Sequence, residues 1–271
     1  MKLGRKPRGH DTRIPKYADL IKDKALPTIP TELDYDAGMP ANLGMMLNDT
    51  LGDCCEAGAG HAQQVWTFCA ANNMVTPSDA DVELLYEKTA GYVPGNPSTD
   101  NGTDEQTLLN YWLNNPFANN QLSAYVELNP SDFENVKRAI WEAGVVYIGM
   151  NVPQYIMDSY TAAGSVWDVH PELNNNSAGG HCVIMVEYKV DNTLGFISWG
   201  GMYTMTKAFW DANVDECYAL VNKEWIELMG ISPAGLSLVE LEALMAQLKF
   251  TPSSGKRRQH RRKKRQRAIG V

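Results

Sequence analysis

The sequence predicts an α+β protein, with an N-terminal helical half and a C-terminal half built on an antiparallel sheet. Three observations carry this. From Cys54 to Leu113 apolar residues recur at the 3.6-residue period of helices. From Leu122 onward short segments alternate or run apolar, as strands do. The two kinds of segment are largely consecutive, so the chain lacks the interleaved strand-helix-strand order of a parallel sheet.

Residues 1–44 mix Arg, Lys, Pro and Asp with little periodicity. Pro15, Pro27, Pro30 and Pro40 keep the residues before them extended, and only Tyr17-Ala-Asp-Leu-Ile suggests a turn of helix. The segment reads as an extended arm over the domain or a neighbour; a pro-segment is the sharper reading, but the arm is short and shows no evident inhibitory helix. The domain proper spans 45–230. Its first helix runs from Cys54 to about Asn72, with Ala57, Gly58, Ala59 and Gly60 small enough for close packing on a strand. Ser78 or Asp79 caps a second helix whose apolar face is Val82, Leu85 and Tyr86. The stretch from Gly91 to Gly102 is dense in turn formers and reads as a long surface loop. Asp104–Leu113 forms a third helix with Leu108, Leu109 and Trp112 inward.

In the second half Leu122–Leu128 reads as a strand, Ser131 caps a helix to Ala143, and Val145–Met150 is a buried strand. Val152–Ser177 is loop-rich. Strands follow at Cys182–Val190 and Thr193–Trp199, then a helical turn at Lys207–Asp211 and a final strand at Cys217–Val221. Residues 231–252 carry an amphipathic helix, with Leu238, Leu241, Leu244, Met245 and Leu248 on one stripe. Residues 253–271 are a solvated basic tail.

The chemistry-bearing residues fall at element starts. Asn48–Asp53 is a polar loop that turns at Gly52 and delivers Cys54 to the first helix. A cysteine there lies among unsatisfied N–H groups at the positive end of the helix dipole, which favours thiolate, the nucleophilic form. His181 enters an apolar strand in Gly179-Gly-His-Cys-Val-Ile-Met-Val-Glu-Tyr, and Ser198-Trp199-Gly200 ends the next one. His61 shares a helix with Cys54 but lies about 10 Å along it at 1.5 Å per residue, beyond hydrogen-bond reach. It reads as a core histidine. His170 sits in a loop.

A helix-start cysteine, a strand-start histidine and Ser-Trp-Gly, in that order, resemble the papain-like cysteine peptidases. The resemblance covers roughly residues 45–225 and is closest to small papain-like proteins of phage and bacterial genomes. It implies a cleft between the two halves, with Cys54 on one wall and His181 on the other. It implies Cys54 as nucleophile, His181 as general base, and Asn48, six residues before the cysteine, in the place of the family's oxyanion glutamine. Trp199 would shield the site. Ile197 stands where the family has the asparagine that orients the histidine; Ser198, a backbone carbonyl or a polar group of the Trp167-Asp168 loop would have to replace it. The function so implied is a thiol hydrolase, a peptidase or amidase acting on a peptide or protein. An acyltransferase with the same dyad is indistinguishable. The contrasting reading is a catalytically impaired papain fold with a structural or assembly role, such as a virion component acting through its arms.

Composition bounds the rest. The 271 residues are 44% apolar and 21% charged, ordinary for a globular chain. Nine of the 24 Lys and Arg lie in residues 256–267; the other 15 face 32 acidic residues. An acidic body excludes a dedicated nucleic-acid-binding domain, while the basic tail is suited to contact nucleic acid or an acidic surface. Five cysteines without framework spacing argue for reduced thiols, and the Cys54-Cys55 pair has no CxxC partner for zinc. No metal or cofactor is expected. The start has no apolar run to make a signal peptide, and no stretch reaches the roughly 18 apolar residues of a membrane span. A cytoplasmic or virion-associated location follows.

Overall fold

A computed structural model describes residues 1–229 together with 237, 239 and 240. The helix expected over 231–252 lies almost wholly outside the described residues, and the tail 253–271 wholly so.

The arm carries one short helix, α1 (Tyr17–Ile21), and a two-residue strand, β1 (Leu33–Asp34). Then comes α2 (Cys54–Ala71), ended by Asn72 in the left-handed conformation. Every residue of α2 from Cys54 to Trp66 is buried, including the polar Glu56, His61, Gln63 and Gln64. Its glycines permit this. A Cβ on Gly58 would stand 3.1 Å from the Tyr147 ring, and the Tyr147 hydroxyl donates to the Cys55 carbonyl at 2.6 Å. Helix α3 (Asp79–Ala90) opens with a reciprocal capping box of Ser78 and Asp81. The loop after it contains a 3-10 turn at Pro97–Thr99, and α4 (Glu105–Asn114) is capped by Asp104.

The second half contains β2 (Ala124–Glu127), α5 (Phe133–Ala143), β3 (Val146–Pro153) and α6 (Gln154–Ser159). It continues with β4 (Val166–Trp167), β5 (Ser177–Tyr188), β6 (Leu194–Ser198) and β7 (Gly201–Met205). Helix α7 (Lys207–Asn213), β8 (Val214–Val221) and α8 (Lys223–Met229) complete it. Several sequence expectations shift. Asp132, not Ser131, caps α5. Strand β5 begins at Ser177, before the apolar run, because Ser177–Gly180 pair with Val152–Asn151 and Pro153 of β3. Helix α6 and strand β4 lie within the stretch expected as loop, and β7 was not anticipated.

The eight strands form one sheet in the order β2-β8-β3-β5-β6-β7-β4, with β1 added on β5. All pairings are antiparallel except β4 with β7, which is parallel. The sheet is therefore mixed by one two-residue edge strand. It separates two cores. Tyr147, Ile184 and Ile197 face α2 and its helical neighbours; the intervening Ile148, Met185 and Phe196 face α5 and α7. Among the described residues no helix is long and apolar enough to cross a membrane.

Candidate active site

Cys54 is the first residue of α2 and His181 the fifth of β5. Pairing of β5 with β6 begins only at Ile184, so β5 is open on that side at residues 181 and 182. Cys54 and Cys182 lie in the same core, the one that faces α2. The His181 ring stacks on Trp199, centroids 4.6 Å apart and planes 24° apart. Its Nε2 is 2.7 Å from the Ser198 hydroxyl. Nδ1 is buried and makes no hydrogen bond among the described residues.

The Trp199 position has a backbone cause. Trp199 and Gly200 form a two-residue turn between Ser198 and its partner Gly201, with φ of 44° and 69°. Positive φ suits glycine and strains tryptophan. The strain is compensated by what the indole touches: His181 on its face and the Lys2 carbonyl, 3.1 Å from Nε1.

Cys54 and His181 are each 1% exposed, and that burial overrides the helix-terminus expectation. Burial, together with the neighbouring Cys55 thiol, holds the Cys54 thiol well above its ordinary range. Burial lowers His181 to about 3. The pair is thus thiol and neutral imidazole in this state, not the ion pair expected of a helix-start cysteine. Asp53, capping α2 without a side-chain bond to it, is pushed up to about 9 by burial and the Glu56 charge.

The N-terminal arm is bonded into this part of the fold. The Lys2 N–H donates to the Asn48 carbonyl, and those of Gly4 and Arg5 to the Gly180 carbonyl. Thr103 pairs with the same stretch from the other side, taking Lys6 N–H and giving its own to the Gly4 carbonyl. Residues 1–6 therefore run between the Asn48–Gly52 loop, the start of α4 and the residue before His181. Far from lying loosely over the domain, the arm is threaded between its halves. A groove of about 590 Å³ remains along Met1–Arg5, bordered by Gly52, Gly102 and Gly180.

The architecture matches solved cysteine proteases. Xylellain, a cysteine protease from Xylella fastidiosa, aligns over 81% of this chain and 96% of its own at TM-score 0.59 and 13% identity. Procathepsin L2 from Tenebrio molitor larval midgut aligns over 77% of this chain and 73% of its own, at 0.54 and 17%. The procathepsin L3 of the same larvae covers 79% of this chain and 76% of its own, at 0.52 and 12%. The fold is papain-like. No family model matches the sequence, and no curated protein matches it.

Within this papain-like frame the sequence-predicted residues can be placed. His181, Ser198 and Trp199 cluster, while Cys54 shares the core facing α2 with Cys182, the residue after His181. Ile197 belongs to the core facing α2; the polar contact it lacks is made by Ser198, one residue on. Asn48 is buried beside the site, but both its N–H groups are engaged, with the Leu51 carbonyl and Asp53 Oδ1, each at 3.1 Å. As it stands its amide braces the loop. Cys55 turns to the Thr103 carbonyl at 3.4 Å. His61 is bonded at Nδ1 to Gln64 Oε1 at 2.7 Å, and His170 contacts Tyr160 and Glu172, apart from the site. Among the described residues no group of three His, Cys, Asp or Glu side chains converges for a metal. Sequence reasoning missed Arg5, Glu105, Gly149 and Glu216, which meet at one buried charge; no local pattern marks them, since they come together only in the fold.

Proposed function

We propose that the chain is a latent papain-like thiol hydrolase acting on a peptide or protein, with Cys54 as nucleophile and His181 as base. The papain-like fold carries this reading, supported by Cys54 opening α2 and by the His181–Ser198–Trp199 cluster. Withdrawal of the arm would rehydrate the site, remove the burial that keeps both groups neutral, and allow proton transfer from Cys54 to His181 Nδ1. The sulfur would then bond to the substrate carbonyl carbon. The C–N bond would break as His181 returned the proton to the leaving amine, and water would release the acyl group. The Cys54 backbone N–H and the Asn48 amide would hold the oxyanion, the latter on giving up one of its two loop bonds. Ser198 would accept from Nε2–H, fixing the tautomer that leaves Nδ1 for the sulfur.

A second reading, a papain fold retained for structural or assembly contacts, is favoured by one observation: both groups are buried and neutral behind the arm. Alkylation of Cys54 by iodoacetamide against pH, with peptide mapping, separates the two. It is run on arm-released protein with and without His181→Ala. Under the hydrolase reading the thiolate titrates well below the ~8.5 of free cysteine and loses that activation without His181. Reaction no faster than an ordinary thiol, indifferent to His181, overturns it.

A further inference from the structure

The arm is anchored by Arg5, whose side chain is 3% exposed. Its Nη2 lies 2.5 Å from Glu216 Oε2 and 2.6 Å from Asp215 Oδ1, and its Nε is 3.3 Å from Glu105 Oε1. Glu105 and Glu216 are fully buried. The other oxygen of Glu216 accepts from the Tyr218 hydroxyl at 2.6 Å, whereas neither oxygen of Glu105 has a hydrogen bond among the described residues, its link to Arg5 being an ion pair alone. Two buried carboxylates in one place are costly unless a cation enters. Burial opposes the charge on Arg5, yet Glu105, Glu216 and Asp215 together outweigh it and hold the proton more firmly than usual.

The cavity is shaped for a guanidinium. Gly149 lies mid-strand in β3, where a Cβ would occupy the place of the Arg5 guanidinium. The approach is shaped for a backbone: Cβ atoms on Gly102 and Gly180 would overlap the Gly4 and Arg5 carbonyls. Gly180 and Thr103, which clasp the backbone on either side of Arg5, adjoin His181 and α4. Nothing in these contacts requires the extended peptide to belong to the same chain.

We propose that Glu105, Glu216 and Asp215, around the space left by Gly149, form a receptor for an arginine side chain of an extended peptide substrate, occupied in cis by Arg5. This rests on the hydrolase reading for the fate of the peptide but not for its binding. The arm therefore acts as a tethered competitor, and substrate selection follows the pairing of one guanidinium with two buried carboxylates.

The test is binding of a fluorescein-labelled Lys-Leu-Gly-Arg-Lys-Pro peptide, followed by anisotropy, to full-length protein. The Arg5→Gln variant frees the cavity and is expected to bind the peptide, while wild type does not. Gly149→Ala dislodges the arm but fills the cavity, and should not bind. Replacing the peptide arginine by citrulline, its neutral isostere, should weaken binding by about 30-fold or more, since a buried charge loses its partner. If Arg5→Gln fails to fold, full-length protein with a specific-protease site inserted between Gly9 and His10 is folded first, then cut and dialysed to release the arm. Equal binding of arginine and citrulline peptides, or no binding to the arm-released protein, overturns the receptor. Cys54 alkylation on the same sample reports separately on the hydrolase reading, so either idea can fail alone.

Discussion

His181 is neutral because it is buried, and its folded state has a stability signature. The ordinary imidazole titrates near 6.5 and the folded one at about 3. Below pH 6.5 the unfolded chain takes up a proton that the folded chain refuses, so the histidine costs stability as pH falls from 6.5 toward 3. Compared with His181→Gln, in which other titrations cancel, the wild type should lose about 2.5 kcal/mol between pH 6.5 and 4.5, at 1.36 kcal/mol per unit. Urea denaturation of both proteins at several pH values measures it; a flat difference would mean that His181 is charged or exposed. Among the described residues the Ser198 hydroxyl is the one polar partner of the ring, 2.7 Å from Nε2. Ser198→Ala should cost about 1–3 kcal/mol, the penalty for leaving a buried polar atom unsatisfied. In arm-released protein it should also blunt the pH dependence of Cys54 alkylation, which a purely structural hydroxyl would leave unchanged.

At the scale of elements, the β6–β7 turn places the indole. Gly200 has φ of 69°, and a Cβ there would approach the Gly44 backbone at 2.8 Å. Gly200→Ala should therefore cost at least about 1–2 kcal/mol and lower the thermal midpoint. Because the turn also carries Trp199, near-ultraviolet circular dichroism should change with it; an unchanged midpoint would show that the turn tolerates a side chain. Helix α2 does the corresponding job for Cys54. Its small residues let it sink against Tyr147, and that depth, rather than the helix dipole, sets the protonation of the thiol in the closed state.

For the molecule as a whole, four of the five thiols are shut away from solvent. Cys54, Cys55, Cys182 and Cys217 are buried and Cys69 half-buried. Under native conditions iodoacetamide should label Cys69 first, with Cys54 protected by at least tenfold relative to arm-released protein. Mass spectrometry of digests after timed alkylation reads this directly. Labelling of Cys54 in intact protein as fast as that of Cys69 would show that the arm does not close the site. The Arg5 ion cluster makes the closure a whole-molecule property, since it joins residue 5 to α4 and to β8 near the far end of the domain.

Much of this was legible in the chain. Helical periodicity located α2, α3 and α4 to within a residue or two, because their caps, Ser78 and Asp104, are local hydrogen-bonding choices. The order of Cys54, His181 and Ser198-Trp199 was legible because element-start residues keep their neighbours whatever the packing. Strand β7, with its Gly-Met-Tyr-Thr-Met sequence, and the early start of β5 were not, since both are fixed by pairing with distant strands. Burial was not legible either. What the residues alone carried was the α+β class and the nearness of His181 to Ser198 and Trp199. Tertiary packing alone brings the Ser198 hydroxyl to His181, bonds the arm to Asn48, Gly180 and Thr103, and sets Arg5 against two buried carboxylates. Those outcomes depend on contacts between residues as far apart as 5 and 216, and desolvation there outweighs any local preference of helix or strand.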